Sequence, residues 1–182
     1  GYEGHYFWDT EIYIFPVLLH VAPAVCRGLL EFRYRTLDRA RARAQQLHHK
    51  GALYPWRTIN GDEASAFFLA GTAQYHINAD IAYALQKYWE ATADDHFLEA
   101  MGAEMLWETA RFWADLGHFT REGRFAIHGV TGPDEYTPLV NNNGYTNLMA
   151  QNHLRFALRV AQHLQDTRPA AAAALCHRLG LT

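Results

Sequence analysis

The run Gln74-Tyr75-His76-Ile77-Asn78-Ala79-Asp80-Ile81-Ala82-Tyr83-Ala84-Leu85-Gln86-Lys87-Tyr88-Trp89 decides the fold class. Its apolar residues Ile77, Ile81, Ala84, Leu85 and Tyr88 recur at steps of three and four, the stripe of an amphipathic helix. The same period runs on either side of it. From Phe97 to Leu116 the stripe is Leu98, Met101, Met105, Thr109, Phe112 and Leu116, with Asp94 or Asp95 placed to cap its start. From Tyr145 to Leu164 it is Met149, Phe156, Val160 and Leu164. Upstream, Trp8 to Tyr34 is apolar almost all round and is cut by Pro16 and Pro23. It reads as two helices, the second with Pro23 in its first turn. Thr36 to His49 interleaves Arg39, Arg41 and Arg43 with alanines and predicts an exposed helix with a solvated charged face. Pro169 to Leu179 predicts a short alanine-rich helix.

Three segments break the period. His48 to Asp62 carries Gly51, Pro55 and Gly61 around Tyr54 and Trp56. Gly117 to Val130 alternates weakly and predicts a short hairpin around Glu122-Gly123. Thr131 to Gly144 is a loop rich in Gly, Pro and Asn. No linker, charge block or low-complexity run marks a boundary. The expectation is therefore one all-α domain, an antiparallel helical layer or toroid, with function carried on its loops.

Composition removes several function classes. With 182 residues there is enough chain for one real core, and 49% hydrophobic against 19% charged residues excludes intrinsic disorder. The longest apolar stretches are broken well short of the ~20 residues a membrane helix needs. A formal charge of −3 and a pI near 6.4 argue against nucleic acid as a partner. Cys26 and Cys176 cannot form a disulfide framework, and no secretory leader is visible, so a reducing, cytoplasmic setting is expected. The chain opens on Gly1-Tyr2 rather than Met, which points to a processed protein or a piece of a longer one.

The 11 histidines form no His-Glu-x-x-His, there is no Cys-x-x-Cys, and His48-His49 are adjacent, so no metal site is expected. Neither a Gly-x-Ser-x-Gly elbow nor a glycine-rich nucleotide loop occurs, so no cofactor is expected. What stands out is carboxylates held among rings and amides: Gly4-His5-Tyr6-Phe7-Trp8-Asp9-Thr10-Glu11, Gly51-Ala52-Leu53-Tyr54-Pro55-Trp56, and Gly132-Pro133-Asp134-Glu135-Tyr136. Sugars are bound this way, with rings stacked on pyranose faces and carboxylates and amides on hydroxyls. Asp9, beside Trp8, suits a bidentate pair of hydroxyls. Glu135 has the anion Asp134 next to it, and partial burial together with that charge would raise its pKa as a general acid requires. The competing reading is a solvated loop glutamate. Asp134 is expected to brace the loop as an Asx-type acceptor, and Glu11 to form a structural pair.

Those three runs, with Tyr75-His76-Ile77-Asn78-Ala79-Asp80, Ala110-Arg111-Phe112-Trp113 and Asn141-Asn142-Asn143-Gly144-Tyr145-Thr146-Asn147 in the same order, resemble glycoside hydrolase family 65. The family holds inverting disaccharide phosphorylases for maltose, trehalose, kojibiose and nigerose, and some hydrolases. The resemblance implies an (α/α)6 barrel of which residues 1–182 are the N-terminal part, about half. It implies Glu135 as the general acid, Trp8 and Asp9 in the glucosyl subsite, and Trp56 on the acceptor side. Arg57 and His76 complete the expected substrate-binding set, and the loop from Arg57 to Gln74 is expected to shape the acceptor subsite. Many members have Glu where Arg57 stands, a departure that bears on acceptor preference. The implied reaction is phosphorolysis of an α-glucosyl disaccharide by a homo-oligomer, with inorganic phosphate as co-substrate. The alternatives are an inverting hydrolase of the same family and a non-catalytic sugar-binding or scaffold module. A half-barrel alone is expected to be inactive and to self-associate.

Overall fold

The computed structural model describes residues 2–65 and 69–181, with only the backbone of Tyr2 and Leu69. The fold is all-α. A π-helical turn, Thr10–Ile14, leads into α1 (Phe15–Val21) and α2 (Pro23–Arg35), each with a proline in its first turn. A missing N–H costs nothing there, because the first turn has no intrahelical acceptor for it. After α3 (Leu37–Gln46) come α4 (Ile77–Thr92) and the single-turn α5 (Asp95–Phe97), then α6 (Ala103–Leu116). Helix α4 stops at Ala93, which is left-handed at φ 50°. Asp94 then accepts the Phe97 N–H at 2.9 Å, so the cap falls on the first of the two candidate aspartates. The chain closes with α7 (Gly144–Thr167) and α8 (Pro169–Leu179).

The predicted stripes are the buried faces. Ile77, Ile81, Leu85 and Tyr88 of α4 meet Met105 and Leu106 of α6 and Phe156, Val160 and Leu164 of α7 in one core, which Cys26 and Leu30 of α2 join. Helix α7 packs against α4, α6 and α8, while α1 and α2 cover α4. The hairpin expected around Glu122-Gly123 is present as β3 (His118–Phe119) paired antiparallel with β4 (Phe125–Ala126). A second small sheet pairs residues far apart in sequence. Here β1 (Tyr6–Phe7) runs antiparallel to β2 (Arg57–Thr58), with Phe7 opposite Arg57 and Tyr6 opposite Thr58.

The arginine-rich helix departs from the expected solvated face. Arg41 donates to Glu108 at 2.8 Å and Glu104 at 2.7 Å, tying α3 to α6. Arg43 is largely buried, bonded to the carbonyls of Tyr54 and Thr72 and paired with Glu63 at 3.0 Å. The physical reason is that groups distant in sequence recruit these guanidiniums, the buried carboxylates of α6 for Arg41 and loop carbonyls with Glu63 for Arg43, and burial without such partners would be forbidden. Gly51 fixes a further close approach. It sits at φ +77°, and a Cβ there would lie 2.1 Å from the Glu108 carbonyl, which already accepts the Ala52 N–H at 2.9 Å. Among the described residues, no helix is long and apolar enough to cross a membrane.

Candidate active site

The β1–β2 pairing lays the motif around Trp8 beside the one ending at Trp56. The Phe7 and Trp56 rings are 6.2 Å apart, and the backbone N–H groups of Trp56 and Arg57 both donate to the Glu63 carboxylate, at 2.8 and 3.2 Å. The Arg57 guanidinium bonds Glu3 at 2.8 Å and lies 3.1 Å from His5 Nδ1. Of the loop from Arg57 to Gln74, residues 66–68 lie outside the described residues. Trp8 is half-buried in an aromatic cluster, 5.4 Å from Tyr13, 6.0 Å from Tyr145 and edge-on to His76 at 5.1 Å.

Glu135 rides on a closed loop. Val130 and Val140 exchange hydrogen bonds of 3.0 and 2.8 Å at its neck, and the Thr131 N–H reaches the Ala73 carbonyl at 3.0 Å. Gly132 packs on Asn143 so tightly that a Cβ would lie 2.3 Å from the amide nitrogen, while the Asn143 side chain caps α7 through the Thr146 N–H at 3.0 Å. Asp134 braces the tip as expected, accepting the Tyr136 N–H at 3.1 Å and the Thr137 hydroxyl at 3.3 Å. Glu135 itself is exposed, not partly buried as the sequence suggested, because the loop stands off the helices at this point. Its Oε1 accepts from Gln74 Nε2 at 3.0 Å. Partial burial raises the Asp9 carboxyl, and the charges of Glu11 and Glu135 add to that, so Asp9 and Glu135 share one electrostatic neighbourhood.

Behind Gln74 lies a buried polar array. Gln74 Oε1 faces His76 Nε2 at 3.0 Å, His76 Nδ1 faces Asp80 at 2.6 Å, and the Tyr145 hydroxyl donates to Asp80 at 2.7 Å. His76, expected among the substrate-binding residues, is placed inside the fold. It is fully buried, and both ring nitrogens are taken by protein. Burial holds the Asp80 carboxyl above its ordinary range against the opposing hydrogen bonds from His76 and Tyr145. Burial, and next the Asp80 charge, push the Tyr145 phenol up, which keeps it a donor. Gln74, Asp80 and Tyr145 received no role from sequence. For Asp80 the signal existed: His76 and Asp80 stand four apart inside an otherwise apolar stripe. Gln74 precedes the helix and carries no periodic mark.

Thus an accessible carboxyl with one oxygen held by an amide stands near a second carboxyl and an indole, a set able to hold hydroxyls and deliver a proton. Among the described residues, no group of three or more His, Cys, Asp or Glu side chains is arranged to hold a metal ion.

A family model, the glycosyl hydrolase family 65 central catalytic domain, matches residues 1–178. The chain is 55% identical over 183 residues to an α,α-trehalose phosphorylase of Thermoanaerobacter brockii, covering 100% of this chain and 24% of the relative. It is 42% identical over 181 residues to a kojibiose phosphorylase of Halothermothrix orenii, covering 91% and 23%. A solved structure described as "Putative kojibiose phosphorylase from human microbiome" superposes with a TM-score of 0.90 at 32% identity, over 100% of this chain and 24% of that one. The chain spans about a quarter of the length of the curated relatives it matches. With its motifs in family order, the family model over nearly the whole chain and the shared helical arrangement, this chain belongs to glycosyl hydrolase family 65.

Proposed function

We propose that this chain is part of the (α/α)6 catalytic barrel of an inverting disaccharide phosphorylase. Glu135 is the general acid. It protonates the glycosidic oxygen while a phosphate oxygen attacks C1 of the glucosyl unit from the opposite face. The C1–O bond breaks, the leaving sugar departs as an alcohol, and β-glucose 1-phosphate forms. Phosphate arrives as an anion and needs no general base, unlike water, which requires a second carboxylate roughly 6.5–9.5 Å from the acid. Trp8 and Asp9 hold the glucosyl unit, one by its apolar face and the other by its hydroxyls. Trp56 and Arg57 border the acceptor side, and no cofactor takes part. Relatives named trehalose phosphorylase are more similar than those named kojibiose phosphorylase, so α,α-trehalose is the first substrate to try.

The observation that carries this reading is the exposed Glu135, bonded among the described residues through one oxygen only, on a loop anchored next to Gln74 and within electrostatic reach of Asp9. The test is made on the full-length protein. Trehalose should be consumed only with phosphate present, releasing β-glucose 1-phosphate. Glu135→Gln keeps the shape and loses the proton, so turnover should fall about a hundred- to ten-thousandfold. Glucosyl fluoride, whose leaving group needs less protonation, should be spared more. Glucose release without phosphate would identify the hydrolase instead, and a Glu135→Gln variant within about tenfold of wild type would remove Glu135 as the acid.

A further inference from the structure

Three groups that a sugar cannot reach directly stand one behind another behind the Glu135 carboxyl. Gln74 is 1% exposed, and His76 and Asp80 are 0% exposed. Burying an amide, an imidazole and a carboxyl together is costly unless every polar atom is satisfied. Here they satisfy one another in a single file. Tyr145 donates to Asp80 Oδ1, Asp80 Oδ2 bonds His76 Nδ1, and His76 Nε2 faces Gln74 Oε1. With its oxygen held by the imidazole, the Gln74 amide turns its NH2 outward, and that group meets Glu135 Oε1.

The imidazole in this file is fixed in plane as well as in hydrogen bonding. The Trp8 ring stands at 83° to it and the Tyr145 ring at 90°, with centroids 5.1 and 5.4 Å away. The backbone closes the same junction, since the Thr131 N–H at the base of the Glu135 loop bonds the carbonyl of Ala73, the residue before Gln74. A solvent-exposed glutamate has several rotamers. This one has a rigid donor waiting for one of its two oxygens.

We infer that Gln74, backed by His76, Asp80 and Tyr145, is the positioning residue of the general acid. This inference rests on the reading of Glu135 given above. By donating to Oε1, the amide makes that oxygen the carbonyl of the protonated acid, so the transferable proton resides on Oε2. The free face of the carboxyl is then the donating face. Gln74 touches neither sugar nor phosphate in this role, and its effect runs through the orientation of Glu135.

The experiment compares Gln74→Met, Gln74→Glu and Glu135→Gln in the full-length enzyme, with α,α-trehalose and with glucosyl fluoride. Gln74→Met removes the donor. Its kcat on trehalose should fall about ten- to a hundredfold with KM within about threefold, while glucosyl fluoride turnover stays near wild type. Gln74→Glu keeps the shape and puts an anion beside the acid, so the basic limb of the pH–rate profile should move to higher pH. Should Gln74→Met not fold, the limb shift in Gln74→Glu decides. Equal loss on both substrates with an unmoved limb means a merely structural glutamine and overturns the inference, as does wild-type kcat with an unmoved limb. If Glu135→Gln retains natural turnover, the acid assignment falls and this inference with it. If Glu135→Gln is inactive while both Gln74 variants behave as wild type, only the role of Gln74 falls.

Discussion

Trp113 donates its indole N–H to His153 Nδ1 at 3.1 Å, and the other ring nitrogen faces the Leu106 carbonyl, also at 3.1 Å. The imidazole is thereby held between α6 and α7 as its neutral Nε2–H form. Burial lowers its pKa to about 4, only partly opposed by the Leu106 carbonyl. In the unfolded chain the group takes its proton near pH 6.5. Since the folded value is depressed, the unfolded state binds more protons between those two values. The contribution of His153 to stability is complete above about pH 7 and falls as pH drops from 6.5 towards 4, by at most about 3 kcal/mol. Urea unfolding across that range should reveal the slope, and His153→Gln should flatten it. An unchanged slope would mean that His153 protonates without penalty. Glu90 acts lower: against its partial burial, hydrogen bonds from Gln86, Arg159 and Lys87 hold it down to about 2, so its contribution is lost only as pH falls below about 4.5.

Among the joints between elements that rest on arginine, two have surroundings that predict different costs. Glu11, in the π-helical turn before α1, bonds Arg33 of α2 at 2.7 Å, with the two side chains 2% and 0% exposed. The guanidinium also lies over the Tyr6 ring at 4.3 Å. Among the described residues no second carboxylate bonds it, so Glu11→Ala strands a buried charge and should cost about 3–5 kcal/mol. Arg41 joins α3 to α6, but Glu104 keeps Arg178 at 2.6 Å and Glu108 keeps Arg111 at 2.7 Å when it is removed. Arg41→Met should therefore cost about 1–2 kcal/mol. Chemical denaturation of both variants checks the order, and a reversed ranking would contradict this account of the joints. The same residues show what sequence makes visible. Pro23 and Asp94 announce helix starts because their signals are local. Glu11 was legible as a pair-former, whereas its partner was not. Arg41 read as solvated because its acceptors stand 63 and 67 positions further along. The candidate site divides the same way. Trp8, Asp9 and Glu135 sit in recognisable runs, while the exposure of Glu135 and the internal place of His76 depend on how a loop closed by Val130 and Val140 meets α4.

Across the whole molecule, one face of the first helical segment is left without a cover. Ile14, Val17 and Val21 are 46%, 64% and 73% exposed and stand three and four residues apart, a stripe opposite the side on which Phe15 enters the core. Tyr13 at 63% and Val25 at 48% extend it at both ends, and Leu148 and Leu158 of α7 are similarly open. A monomeric soluble protein rarely leaves a large contiguous apolar patch facing water. Part of a helical barrel does so by construction, since each helix is apolar towards its neighbours, and the proposed barrel and homo-oligomer both supply a surface for such a stripe. The purified 182-residue chain should accordingly associate with itself and show no phosphorolysis. Sedimentation velocity over about 1–100 μM should show a rising weight-average mass, driven by apolar burial of about 25 cal/mol per Å². Val17→Lys combined with Val21→Lys should return the chain to monomer without loss of helical circular dichroism, because both side chains already face outward. A wild-type chain that stays monomeric throughout that range, or a double variant that associates equally, would show that this stripe does not drive association.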